Sequence, residues 1–454
     1  MSDKYYTKVG NLPDTLGSVR QGEMYDPLVA TPPSGRTILK GGMVVDPANK
    51  IEAVKDLAVR GKFVEEVADD IKPEAGDRVF NLGGLYVFPG LIDMHLHLGD
   101  LFEVTTGPIF GAVADGVTLG LSPGAGNTFM APSLLGAEVD RGVPLNMGVY
   151  VGALNAFGSM LSDDELIALF KGELDEETAF SKMTRNRITL LTAPLVVGIK
   201  DHMGHWISSD HHIERVFKVT SSAGLIFMSH TQDPAHAERL VGLSKNRPIH
   251  LAHATAAGCG THLDAKEGMQ RVVDLIKQPN VSGEFVTTML RPGRGSREGL
   301  QMPKAAQDVA YEAVSTGLVE VLISDGQNDA TMKGFGDTRD NVPCILELAE
   351  MSILSLSKAV AMMTSNPAKL IGRLTKQEWW TRELGHLGVG ARANITVVDK
   401  DDKLPTYTFV NGVMAGMENR VVREANGAGG WVSKIGILER TGVGDLAAFG
   451  YVLD

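Results

Sequence analysis

The middle of the chain, residues 88 to 385, alternates short apolar runs with longer stretches whose apolar residues recur at helical spacing. Eight runs stand out, at 85–93, 117–122, 143–151, 195–200, 225–229, 249–252, 281–286 and 319–324. Helical periodicity fills most of the gaps, most plainly at 234–244, 265–277 and 303–316. Eight strands alternating with helices over about 300 residues predict a (β/α)₈ TIM barrel, with an open doubly wound sheet as the other arrangement of the same alternation. The gap between the third and fourth runs is long. Its acidic 162–180 stretch predicts an inserted helix pair near the mouth.

On either side the pattern changes to period two, the mark of half-buried strands. Residues 36–87 carry Thr37-Ile38-Leu39-Lys40, Leu57-Ala58-Val59 and Val64-Glu65-Glu66-Val67, punctuated by Gly, Asn and Asp. Residues 386–440 carry Ile395-Thr396-Val397-Val398-Asp399 and Tyr407-Thr408-Phe409-Val410-Asn411-Gly412. The expected organisation is an N-terminal extension (1–35), a small β-sandwich built from both chain ends (36–87 plus 386–440), the α/β barrel (88–385) and a C-terminal tail (441–454).

Composition narrows the function. The 454 residues are 43% hydrophobic and 22% charged, and so large a chain buries its core without structural metals or disulfides. Any metal is therefore expected to be functional. A formal net charge of −12 argues against a nucleic-acid partner, which needs a basic face. Two cysteines with no CxxC fit a cytoplasmic protein. No apolar stretch has the length of roughly 18 residues that a membrane span requires, and Met1-Ser2-Asp3-Lys4-Tyr5-Tyr6 lacks the apolar core of a signal peptide.

Barrel chemistry sits where strands end, so the ends of the runs are informative. The first ends in His95-Leu96-His97, whose i, i+2 spacing puts both imidazoles on one face. The fourth ends in Lys200, the fifth in Ser229-His230, the sixth in Ala252-His253 and the eighth in Ser324-Asp325. Taken singly, a strand-end His is more often structural, a Lys solvated and an Asp a helix cap. Together they converge on one mouth. His250 lies mid-strand and is expected to be structural. His202, His205, His211 and His212 follow Lys200 in a loop, where exposure is favoured over substrate contact. Cys259 and His262 have nothing to orient them as nucleophile and base.

The ordered motifs Phe88-Pro89-Gly90-Leu91-Ile92-Asp93-Met94-His95-Leu96-His97, Gly116-Val117-Thr118, Gly198-Ile199-Lys200, Ile249-His250-Leu251-Ala252-His253-Ala254-Thr255, Thr364-Ser365-Asn366-Pro367-Ala368 and Val410-Asn411-Gly412 resemble the amidohydrolase superfamily, in its dihydroorotase/hydantoinase-like branch. The resemblance spans about residues 37–421. It implies a hydrolase of non-peptide C–N bonds in a cyclic amide, ureide or N-acyl amino acid, acting on a small-molecule substrate and assembled as a homo-oligomer. It further implies two divalent ions, zinc by preference. His95, His97 and Asp325 would hold one and His230 and His253 the other. Lys200, carboxylated by CO₂ to a carbamate, would bridge them. Asp325 would be the general base for a metal-bridging hydroxide.

The chain departs from the branch at informative places. Gly99 stands where dihydroorotase-like relatives carry an Arg for the substrate carboxylate. Thr288 and Met289 replace histidines after Glu284, and Gln327 follows Asp325-Gly326 where many relatives have His. Substrate-binding residues stay unknown. Arg291, Arg294 and Arg297 are candidates for an anion, with a solvated loop favoured. Two other readings remain: a mononuclear zinc deaminase, with Asp233 in place of its usual Glu, and a non-catalytic hydantoinase-like scaffold. Lys200 argues against the first and the full ligand set against the second.

Overall fold

The computed structural model describes residues 35–98, 107–123, 127–183, 187–202, 207–295, 300–326, 335–422 and 427–438. The N-terminal extension, most of the stretch after His97, His205, Arg297, Gln327 and the C-terminal tail lie outside them.

All eight predicted barrel strands form. They are β6 (Leu91–Asp93), β7 (Val117–Ser122), β8 (Asn146–Gly152), β9 (Gly198–Asp201), β10 (Ile226–His230), β11 (Ile249–Ala252), β12 (Val281–Val286) and β13 (Val321–Ile323). Neighbours pair in parallel in that order. Their runs are buried on both faces, as parallel strands covered by helices must be. The helices Pro234–Ser244, Ala265–Ile276 and Lys304–Ser315 pack outside, and the acidic insertion is a helix pair, Asp163–Lys171 and Glu176–Lys182. Ser162 starts the first of these with a reciprocal capping box to Glu165.

Between β13 and β6 the barrel closes through the segments beyond the strands. Leu96 bridges Gly326, Asp325 N–H donates to His95 O (3.0 Å) and His97 N–H to Gly326 O (3.1 Å). The buried Asp93 carboxylate accepts Ser324 Oγ–H (2.5 Å) and N–H (3.1 Å) across the same seam.

The chain ends build a nine-stranded sheet from β1 (Thr37–Asp46), β2 (Ile51–Arg60), β3 (Phe63–Ala68), β4 (Arg78–Asn81), β5 (Tyr86–Pro89), β14 (Ile395–Asp399), β15 (Leu404–Val410), β16 (Val413–Met417) and β17 (Arg420–Val421). It curls around its own core of Leu39, Val44, Leu57, Val64, Val397 and Phe409. Its free edge returns to the start of β14, where Val64 N–H donates to Ala391 O (2.9 Å) and Ala393 N–H to Lys62 O (2.8 Å).

Two details differ from the sequence reading. The run 85–93 is two strands: β5 belongs to the flanking sheet and β6 to the barrel. Gly90 divides them where a Cβ would lie 2.3 Å from Thr118 Oγ1. The hairpin β18 (Trp431–Ser433) and β19 (Gly436–Leu438) joins barrel strand β8 instead of the flanking sheet, pairing Trp431 with Met147.

Candidate active site

The strand ends deliver their polar residues to one place. His95 and His97 extend past β6, Lys200 lies in β9, His230 ends β10, and His253 and Asp325 follow β11 and β13. All but His230 are nearly or fully buried. His95, His97 and Asp325 bring their ligand atoms within 4.8 Å of one another. Asp325 Oδ1 lies 3.1 Å from His95 Nε2 and 3.4 Å from His97 Nε2. Lys200 Nζ is 2.8 Å from His95 Nε2. The His230 and His253 rings meet edge to face at 4.5 Å, and His253 lies 5.1 Å from His95.

Backbone geometry aims two of these groups. His253 (φ 36°) and Asp325 (φ 49°) adopt left-handed conformations that L side chains rarely take. Strain of this kind concentrates where a side chain must be aimed. Gly198 lets β9 lie against Tyr150, since a Cβ there would sit 2.6 Å from the ring.

The electrostatics favour neutral imidazoles facing an anion. Burial, with Lys200 nearby, holds His230 down at about 3. Burial and the adjacent His230 push His253 well below its ordinary value. Burial alone would raise the Asp325 carboxyl, but the adjacent His95 and contacts to both His95 and His97 hold it well below the carboxylate range. Neutral imidazoles and a carboxylate are the forms that ligate a divalent ion. His230 Nε2 and His253 Nδ1 are buried without a hydrogen-bond partner, a costly state that a bound ion would relieve. The donor set fits a metal centre.

Two participants were not legible as such in the sequence. Glu284, fully buried in β12, accepts from His95 Nδ1–H, from His250 Nε2–H (2.9 Å) and from His253 N–H (3.1 Å). Burial opposes its charge, but the two imidazoles outweigh burial and hold it below the usual range. His250, expected to point elsewhere, thus reaches the site through Glu284. Phe335 packs over His253 (4.9 Å) and His230 (6.0 Å), and its N–H donates to Asp325 Oδ2 (2.9 Å).

Other candidates are accounted for. Asp233 accepts Ala235 N–H and caps the helix Pro234–Ser244. Arg291 is clamped by Glu347 (2.7 and 2.9 Å) and Asp340, and Arg294 lies 3.1 Å from Asp340. His212 packs edge-on against Phe157 (5.4 Å), and His202 is buried just beyond β9.

A barrel with this convergence of His, Lys and Asp at its strand ends defines a class of hydrolase. The chain belongs to the amidohydrolase family, which it matches over residues 86–417. It is similar to the dihydroorotase of Geobacter sp. (strain M21), with 23% identity over 414 residues covering 80% of this chain and 89% of that one. It is also similar to the dihydroorotase of Aquifex aeolicus, at 24% over 413 residues with the same coverage. Among solved structures, a D-hydantoinase superposes with a TM-score of 0.62 at 17% identity, covering 85% of this chain and 96% of that one. The dihydropyrimidinase of Brevibacillus agri superposes with 0.62 at 16%, covering 89% and 99%. These likenesses establish the TIM-barrel fold with its companion sheet.

Proposed function

We propose that this chain hydrolyses the C–N bond of a cyclic amide or ureide, with N-acyl amino acids as the open-chain alternative, at a centre of two zinc ions. The observation that carries this is the pair of buried, partnerless imidazole nitrogens on His230 and His253 beside the His95–His97–Asp325 cluster. His95, His97 and Asp325 would hold one ion and His230 and His253 the other, with Lys200 bridging them as its CO₂-derived carbamate. Bound there, two such ions lower the pKa of a shared water and polarise an amide carbonyl.

The remaining work falls to the chain. Phe335 N–H fixes the plane of the Asp325 carboxylate, so one oxygen stays directed at the histidines. Asp325 takes the proton of the attacking water and returns it to the leaving nitrogen. Phe335 covers two imidazoles and excludes water from that side. Gly99 offers no side chain to grip a carboxylate, so the proposed ring differs from the one dihydroorotases are named for. Neither Cys259 nor Cys344 is in a disulfide, which supports a cytoplasmic setting. Among the described residues, no helix is long and apolar enough to cross a membrane.

The test is metal content by mass spectrometry on protein prepared without chelator, followed by a panel of cyclic amides, ureides and N-acyl amino acids. About two ions per chain with ring opening is the expected result. About one ion with ammonia release would replace this reading with deamination. No metal after a metal-replete preparation, with no turnover, would overturn it.

A further inference from the structure

Glu284 occupies the middle of β12, where its carboxylate meets three donors from two other strands of the barrel. Oε1 receives His95 Nδ1–H, beyond β6, and the backbone N–H of His253, beyond β11 (3.1 Å). Oε2 receives His250 Nε2–H, within β11 (2.9 Å). Behind His250, Ser282 Oγ lies 2.9 Å from Nδ1. The side chains of His95, His250 and Glu284 are fully buried.

An ionised carboxylate accepts and never donates. His95 must therefore carry its proton on Nδ1, and His250 its proton on Nε2. With both rings neutral, this arrangement leaves His250 Nδ1 to accept Ser282 Oγ–H, an oxygen that also lies 3.5 Å from Ile249 O. It leaves the lone pair of His95 on Nε2, the atom that faces Lys200 and Asp325 at 2.8 and 3.1 Å.

We propose that Glu284, braced by His250, is a positioning residue that ties the two halves of the metal centre together and sets the His95 tautomer, so that Nε2 is presented as a ligand. The inference rests on the metal-centre reading above. Glu284 touches no substrate. It acts through the ring of His95 on one side and the backbone of His253 on the other. The left-handed turn that aims His253 is held by the same oxygen that orients His95. A carboxylate behind a ligating imidazole contributes about 10–100-fold in metal affinity in sites of this kind.

A role in packing and a role in positioning predict different variants. Leu at position 284 fills the space a packing role needs, at a cost in stability, because it strands the buried donors of His95, His250 and His253. It would remove every acceptor the proposal needs. Gln keeps one oxygen for His95 and His253 and can donate to His250, whose proton then shifts to Nδ1. Zinc affinity, read by chelator competition on the apoprotein, should fall about 100-fold in Glu284→Leu and within about 10-fold in Glu284→Gln. Wild-type affinity in the Leu variant overturns the proposal.

Should the Leu variant fail to fold, imidazole ¹⁵N spectra of the wild-type apoprotein decide the matter alone. His95, assigned by its absence in His95→Gln, should be protonated at Nδ1 and bare at Nε2, and the opposite tautomer overturns the inference. A wild-type protein that takes up no zinc but shows the expected tautomer would sink the metal reading and the ligand role with it, and leave only the part Glu284 plays in setting the His95 tautomer.

Discussion

Asp325 is held from two directions. Its backbone is forced into the left-handed region, and its Oδ2 is pinned by Phe335 N–H while Oδ1 faces His95 and His97. Asp325→Asn keeps the shape and one ligand oxygen but cannot take up a proton. Metal content should stay near wild type while kcat falls about 10²–10⁴-fold, the range for a lost general base. Near-normal turnover would remove Asp325 from that role. Lys200→Ala deletes the group beside His95 Nε2, and metal content should drop by at least one ion per chain. Short carboxylic acids should restore part of the activity if a carbamate is the missing bridge. An alanine variant that keeps both ions would exclude the bridge. Residues like these are legible because they break an apolar run at its end, where a polar side chain has no packing reason to be. Glu284 and His250 sit inside their runs. Period two assigns them to faces of β12 and β11, but nothing local says that the two faces meet behind His95.

At the level of elements, the helix Gly107–Ala114 ends against the short turn Thr338–Asp340 through one buried carboxyl. Asp115 accepts Thr338 Oγ1–H (2.6 Å), and burial, with Asp337 adding to it, raises its pKa to about 6 despite that bond. A carboxyl raised on folding stabilises the protein fully only below its unfolded pKa of about 3.9 and loses that contribution as pH rises through the folded value. The total cost by pH 8 is about 3 kcal/mol, of which roughly half accrues between pH 5 and pH 8. Asp115→Asn removes the titration and keeps an acceptor for Thr338. Its melting temperature relative to wild type should therefore be higher at pH 8 than at pH 5, and a pH-independent difference would show that Asp115 is solvated. The barrel strands were readable because each run is buried on both faces. The split at Gly90 was not, because β5 and β6 are equally apolar and only the pairing partners, β14 and β7, separate them.

On the scale of the whole molecule, the barrel, the flanking sheet and the C-terminal hairpin meet at three buried asparagines. Asn146, in β8 on the barrel floor, donates to Thr118 O (3.1 Å) and Asn394 Oδ1 (3.3 Å) and accepts from Asn411 Nδ2–H (2.8 Å) and Gly430 N–H (3.0 Å). Asn411, at φ 48°, donates its own N–H to Asn394 Oδ1 (2.8 Å) and its amide to Ala428 O (2.7 Å). The motif Val410-Asn411-Gly412 thus belongs to assembly of the fold, not to its chemistry. Gly412, at φ 82°, lies where a Cβ would be 1.9 Å from Gly61 O, so the turn that presents Asn411 requires glycine. The sequence shows the two β-rich ends but not this joint, because its partners are 265 and 284 positions apart. Asn146→Ala would strand Gly430 N–H and Thr118 O inside the junction, at roughly 1–3 kcal/mol for each buried group left unpaired. Asn146 begins β8, at the opposite end of the strands from the candidate site. The variant should melt earlier and expose the 427–438 hairpin to protease, while its zinc affinity at low temperature stays at the wild-type value. If stability is unchanged, the asparagine joint is filled by water and does not hold the ends together. If affinity falls in step with stability, the flanking sheet and barrel floor contribute to the proposed metal centre from a distance.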